Sequence, residues 1–284
     1  MRALRWLLVT VSDSSPESQA NLRTLLASVE AQTHRADMVL VMRGGGAPPV
    51  SDCVDIHPVP SPHRIPLSRA RNLGLARAAE HGLLEKADVV AFPDDDASYP
   101  DGLMDRVGRA LSAGTAIAGG AYAPTLDQLD QSRFPSMSRP LTPGVVMRTS
   151  SSNNTFFRGE VVRAVGRFDE RFGLGARYGA GEDSDYVLRA LRRGYAGRYD
   201  PSIVVLHPYK VHRPMQYYPG NVAVLARHLR GGHTALLLAR RLATGLVMTL
   251  RGRLPVSDYL ALVLGAAGLA LRGGPPELPL GRVV

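Results

Sequence analysis

Cysteine is nearly absent from this chain of 284 residues: Cys53 stands alone. A single thiol excludes an internal disulfide framework and any CxxC redox or zinc motif, and it fits a reducing compartment. Lysine is almost as scarce, at positions 86 and 210 only, so the positive charge is carried by arginine. No GxxxxGK[ST] loop and no GxSxG elbow occurs, which removes P-loop and α/β-hydrolase chemistry. RGGGAPP (43 to 49) follows a strand-like run but lacks the dinucleotide spacing, and Pro48 and Pro49 block the helix such a turn must open. Long apolar runs are also missing. The stretch 234 to 250 is broken by Arg240 and Arg241, and 258 to 271 falls short of the roughly 20 apolar residues of a spanning helix. At the start, RALRWLLVTV leads into a polar loop rather than a cleavage site, so a cytoplasmic protein is expected.

What remains is ordinary globular composition, 45% hydrophobic and 21% charged, in a chain long enough for one large α/β domain with an appendage. The formal charge of +9 is lopsided. From His207 to Val284 there are ten basic residues against Asp258 and Glu277, so this tail carries +8 of it. A basic partner surface, if present, belongs to the tail. Few aromatics punctuate its arginines, and its apolar helical runs suit a membrane surface better than nucleic acid.

Strand-like and helix-like patterns alternate through the first half. LRWLLVTV (4 to 11) reads as a strand, 16 to 32 as an amphipathic helix with Leu22, Leu25, Leu26 and Val29 on one face, and DMVLVM (37 to 42) as a second strand. A helix over 67 to 82 ends at Gly82, the strand ADVVAF (87 to 92) follows, and another helix runs from about Pro100 to Ala113. Such alternation implies a mostly parallel sheet with right-handed crossovers, whose ligands bind at the carboxyl ends of the strands. Residues 124 to 152 read as loop with one strand near VVMR (145 to 148). Beyond them, GEVVRAV and a segment from Asp183 to Gly194 read as helices.

Asp94, Asp95 and Asp96 sit where the acidic strand ends. Adjacent carboxylates repel one another, so a fold that fixes them supplies a cation or leaves them in water. A solvated turn capping the next helix is one reading. The other is a ligand site: residues two apart point the same way, so Asp94 and Asp96 can share a hard divalent cation such as magnesium or manganese. His207, after the strand SIVVL, is either structural or a further ligand. Glu182 and Asp183 open a helix, where a cap is the ordinary role. The helix terminus lowers a carboxylate pKa and the acidic neighbours raise it, so the net sign is open. Four glycines in GLGARYGAG before them indicate a mobile segment able to close over a substrate.

In order, LSRARNLGLARA, FPDDD, NNTFFRGEVVRAVGRFDERFG, GEDSDYVLRALRRGY and YDPSIVVLHP resemble a family-two inverting glycosyltransferase of the GT-A fold, over about residues 4 to 210. The resemblance implies a mostly parallel sheet flanked by helices over 1 to 214, with 215 to 284 as a basic, apolar helical extension. It implies a metal-dependent, hexosyltransferase-type enzyme that moves a sugar from a nucleotide-sugar to a hydroxyl of a glycan or lipid-linked acceptor, as in cell-surface polysaccharide synthesis. By similarity, Asp94 and Asp95 of the DxD motif, Arg71, Asn72, Ser12 and Asp13 would meet the donor. Asp96, with Asp94 and His207, would hold Mg2+ or Mn2+. Asp183, with Glu182, would be the catalytic base. The opening TVSDSSPES and the second-strand end VMRGGG, where the family often has an acid for the base, depart from the pattern. Two other readings compete: a sugar nucleotidyltransferase, which would need a glycine-rich loop absent from TVSDSSPES, and a non-catalytic nucleic-acid or membrane-binding protein.

Overall fold

The computed structural model describes residues 3–13, 15–112, 114–209, 214–272 and 276–280. Lys210, Arg213 and Arg282 of the basic tail lie outside them. The fold is built on an eight-stranded mixed sheet of order β3-β2-β1-β4-β7-β5-β8-β6. β1 (Arg5–Ser12) is buried from its second residue onward, as expected of an interior parallel strand covered on both faces. α1 (Pro16–Glu30) buries the anticipated Leu22, Leu25, Leu26 and Val29, starts on Ser15, whose hydroxyl accepts from Ser18 N, and returns the chain to β2 (Arg35–Arg43). β3 (Val54–Ser61) extends the sheet beside β2. The sequence pattern hides it because Pro58 and Pro60 interrupt the strand signal, and prolines are tolerated there because β3 is an edge strand.

α2 (Leu67–Glu80) and the short α3 (Leu83–Lys86) then carry the chain to β4 (Val89–Ala91), which pairs parallel to β1 on its other side. The strand order therefore reverses at β1 and β4, and a bridge between Val11 and Asp94 marks the crevice at their carboxyl ends. This reversal is why the aspartates face a cleft: in open α/β sheets ligands bind where neighbouring crossovers diverge.

The second half is less parallel than the pattern implies. After α4 (Leu103–Ser112), β5 (Ile117–Ala123) pairs with β7 (Thr155–Arg158), which is antiparallel to both β4 and β5. β6 (Arg139–Pro140) closes the far edge against β8 (Gly197–Leu206). The strand expected at 145 to 148 is instead α5 (Pro143–Thr149). Thr142 caps it by accepting from Val145 N, and Pro143 sits in its first turn, so helix-start chemistry overrides the β-branched pair Val145 and Val146. α6 (Gly159–Val165) and α7 (Glu182–Arg192) form as expected. Beneath α7, Phe92, Phe157, Phe168 and Tyr186 pack ring on ring, with Phe168 and Tyr186 stacked at 4.3 Å.

The tail consists of α8 (Pro214–Arg227) and the hairpin α9 (Gly231–Leu250) and α10 (Val256–Leu271). α8 is sewn into the body: Val222 and Val224 are buried, Arg227 pairs with Asp169, and His228 Nε2 lies 2.9 Å from Asp185 Oδ1. The segment at Leu278 also lies on the body, where Arg167 N donates to Leu278 O at 2.7 Å. α9 and α10, by contrast, leave Leu246, Val247, Leu250, Val256, Leu260 and Leu264 exposed.

Candidate active site

The cleft at the β1/β4 reversal encloses about 590 Å³. Three aspartates enter it from the end of β4, and the chain separates them by direction. Asp94 is clamped by one side chain, since its N donates to Asn153 Oδ1 at 2.6 Å while Asn153 Nδ2 donates to its Oδ2 at 3.0 Å. Asp95 turns instead toward Ser12 and Ser18. Burial pushes its carboxyl up to about 6, against the lowering effect of the Ser12 hydroxyl. Asp96, in the turn after β4, comes back to the side of Asp94.

His207 comes to this pair from the end of β8. Its Nε2 lies 3.1 Å from Asp96 Oδ1 and 3.7 Å from Asp94 Oδ2. Ligand atoms of Asp94, Asp96 and His207 all lie within 4.8 Å of one another, a spacing that one cation can bridge. Burial lowers the imidazole pKa, but the two carboxylates outweigh it and raise it to about 9. The donor set, two carboxylates and an imidazole, suits manganese or magnesium rather than a thiophilic metal.

Across the cleft, α7 begins at Gly181, whose φ of +96° takes the chain sharply into the helix. A Cβ there would come within 2.7 Å of Val224 on α8, so glycine is required by both backbone and packing. The neighbouring Gly173, Gly175 and Gly179 also have positive φ. All four glycines of this loop thus sit in the left-handed region that favours glycine.

Arg71 of α2 is only 2% exposed and organises this side of the site. Its Nη1 donates to Asp183 Oδ1 at 2.9 Å, and its Nη2 donates to Ser152 Oγ at 2.7 Å and Asp94 Oδ1 at 3.2 Å. Glu182 Oε1 is 3.7 Å away. One guanidinium thus faces three carboxylates. Burial raises both Glu182 and Asp183 above the usual carboxylate range, Asp183 against the opposing charge of Arg71 and Glu182 with the added repulsion of Asp183. For Asp183 desolvation thus outweighs the lowering effect of Arg71 and of the Ser152 backbone.

Of the remaining expected residues, Ser12 is buried beside Asp95, and Asp13 lines the cleft held by Arg43 and by Arg64 Nη2 at 2.8 Å. Asn72 is not brought to the cleft. Its Nδ2 donates to Phe168 O and Glu170 Oε1 while its Oδ1 accepts from Phe168 N, so the amide is consumed in holding the loop before α7. The sequence reading missed Asn153 and Ser152, which steady Asp94 and Arg71, although NN stands at the front of a quoted motif. It also missed Arg133, Arg148 and Tyr122 on the cleft wall, where Arg133 lies 4.8 Å over the Tyr122 ring. Arg43, at the strand end that lacks an acid, pairs with Asp13, the residue that follows β1.

No family model and no curated protein matches the sequence. Solved structures do match the fold. TarS residues 1–349 of S. aureus in complex with UDP-GlcNAc superposes with a TM-score of 0.65 at 13% identity, over 96% of this chain and 82% of that one. Mannosyltransferase PcManGT of Pyrobaculum calidifontis, in complex with GDP-Man and Mn2+, gives 0.54 at 14% identity over 95% and 88%. GalNAc-T7 with UDP, GalNAc and Mn2+ gives 0.54 at 14% identity over 80% and 48%. The chain therefore has the GT-A-type fold of nucleotide-sugar glycosyltransferases, an α/β architecture with a mixed central sheet.

Proposed function

We propose that this chain is a metal-dependent inverting glycosyltransferase. The observation that carries the reading is the meeting, in one cleft, of the Asp94, Asp96 and His207 cluster with a buried, Arg71-held Asp183. Ser12, Asp13, Arg71, Asp94 and Asp95 line or support the donor half. Asp94, Asp96 and His207 would hold Mg2+ or Mn2+, which when bound offsets charge on the departing nucleoside diphosphate. Asp183 takes the proton of an acceptor hydroxyl as that oxygen bonds to the anomeric carbon. The bond from that carbon to the diphosphate oxygen breaks, and one displacement inverts the configuration. A raised pKa makes Asp183 a stronger base near neutral pH than an exposed aspartate. Asp94 raises it further by charge repulsion.

The same reading gives the tail a role. We place α9 and α10 on the cytoplasmic face of an anionic membrane, bringing the cleft to a lipid-linked or other membrane-borne glycan acceptor for cell-surface polysaccharide synthesis. Support comes from the exposed leucines of these helices and from Arg251 and Arg253, exposed at the turn between them. Each arginine near an anionic surface contributes on the order of 1 kcal/mol. Among the described residues no helix is long and apolar enough to cross a membrane.

Slow hydrolysis of the donor tests the catalytic reading without knowledge of the acceptor. Proton NMR of the first sugar released should show the anomer opposite to that of the nucleotide-sugar, in a manganese-dependent reaction. Release of pyrophosphate from a nucleoside triphosphate and a sugar 1-phosphate, with no donor hydrolysis, would assign the cleft to nucleotidyl transfer instead.

A further inference from the structure

A second concavity of about 490 Å³ runs between α5 and α9. Its lining holds Arg148, Arg240 and Arg241 with Thr244, over a floor that includes Leu225 and Leu237. No acidic side chain lines it, and none of the three arginines has a carboxylate partner among the described residues. Arg148 is steered by donating from Nη2 to Ser132 O, which leaves its other N–H groups for a ligand. The two helices approach closely here, since a Cβ on Gly144 would lie 3.2 Å from His233 Nε2.

Met147 and Arg148 line this groove and also the catalytic cleft, so the two spaces adjoin. A substrate in the cleft can therefore extend into the groove. Arg240 and Arg241 are the pair that interrupts the otherwise apolar run of α9. Bringing them beside Arg148 without an acid concentrates like charge, a cost that a bound anion offsets. Guanidinium forks match the oxygens of phosphate and carboxylate.

Building on the glycosyltransferase reading, we infer that the groove between α5 and α9 binds an oxyanion, phosphate or carboxylate, carried by the acceptor. Acceptor choice then resides partly outside the donor site: a glycan with an anionic group near the reacting hydroxyl is positioned by Arg148, Arg240 and Arg241. The apolar floor takes the face of the ring or chain that bears the charge.

Glucose 6-phosphate, glucuronate and glucose share one ring and test the inference on the full chain in metal-free buffer without a chelator. The arginine Nε–H NMR signals of Arg148, Arg240 and Arg241 should shift saturably with one or both anions and not with glucose. The preferred anion identifies the source, phosphate or carboxylate. Arg240→Gln/Arg241→Gln should weaken that binding about tenfold or more, the equivalent of one charge-assisted hydrogen bond lost. Asp183→Asn, probed in parallel, should titrate as the unaltered chain does. Equal response to glucose, no saturable shift, or undiminished binding in a folded double variant overturns the inference. Manganese-dependent donor hydrolysis is read separately, so failure of the groove and failure of the catalytic reading give different results.

Discussion

Arg71 Nη1 lies 2.9 Å from Asp183 Oδ1, and the same guanidinium reaches Asp94. The base proposed for the acceptor is thereby tied to a carboxylate of the metal cluster through one buried side chain. Arg71→Met strands Asp94, Glu182 and Asp183 without their counter-charge, and removal of one member of such a buried network costs about 3–5 kcal/mol. Urea denaturation should show that loss, and adding Asp183→Asn should recover part of it. Stabilities that simply add would mean that the two residues are not coupled.

Asp183→Asn keeps the shape of the side chain and removes the base. Transfer should fall by at least about 100-fold with nucleotide-sugar affinity retained. Saturation kinetics check this: weakened donor binding at an unchanged limiting rate would make Asp183 a binding residue instead.

Asp96→Ala opens the cation cluster on the side of His207. Activity and metal dependence should disappear together, while Ser18→Ala, which removes a hydroxyl held against Asp95, should retain metal dependence. Full turnover of the wild type in excess chelator would return the three aspartates to a solvated turn.

His228 supplies a pH test of how α8 is joined to α7. Burial holds its imidazole below its ordinary pKa, against the pull of Asp185. Histidine in the unfolded chain titrates near about 6.5, so below that pH the unfolded state binds the proton more readily and folding stability declines. Denaturation midpoints measured from pH 7.5 to 5.5 should fall less steeply in His228→Asn than in the wild type. Parallel curves would remove His228 from the linkage.

The membrane reading is best tested by surface substitutions, because α8 and the segment at Leu278 are part of the body and their deletion would damage it. Leu250 and Leu264 are 78% and 72% exposed, so Leu250→Asp/Leu264→Asp should fold normally. Sedimentation with anionic liposomes should capture the wild type at low salt and release it at high salt, and the variant should stay in the supernatant. Equal behaviour of the two would leave these leucines as a contact for something other than a bilayer.

Local chemistry made much of this legible. The period of α1, the strand before Asp94 and the glycines that end α2 and α7 are written in neighbouring residues, and the switch-point rule carries the aspartates to a cleft. Residues that depend on long-range packing were hidden. β3 is masked by its prolines, and α5 is set by its Thr-Pro start although its valines read as strand. Asn72 sits one residue from Arg71, yet a helix turns adjacent side chains about 100° apart, so one faces the cleft and the other the loop at Phe168. Asn153 matters only because β7 runs antiparallel beside β4, a pairing that no periodicity announces.

Thermal unfolding of the wild type and of Asp96→Ala against a panel of nucleotide-sugars, with and without manganese, tests the central claim most directly. One donor should raise the wild-type midpoint only when manganese is present, by several degrees at about 100 times its dissociation constant, and should leave Asp96→Ala unmoved. A panel in which no nucleotide-sugar stabilises the wild type, or in which manganese makes no difference, would contradict the assignment of this cleft to a metal-dependent donor site.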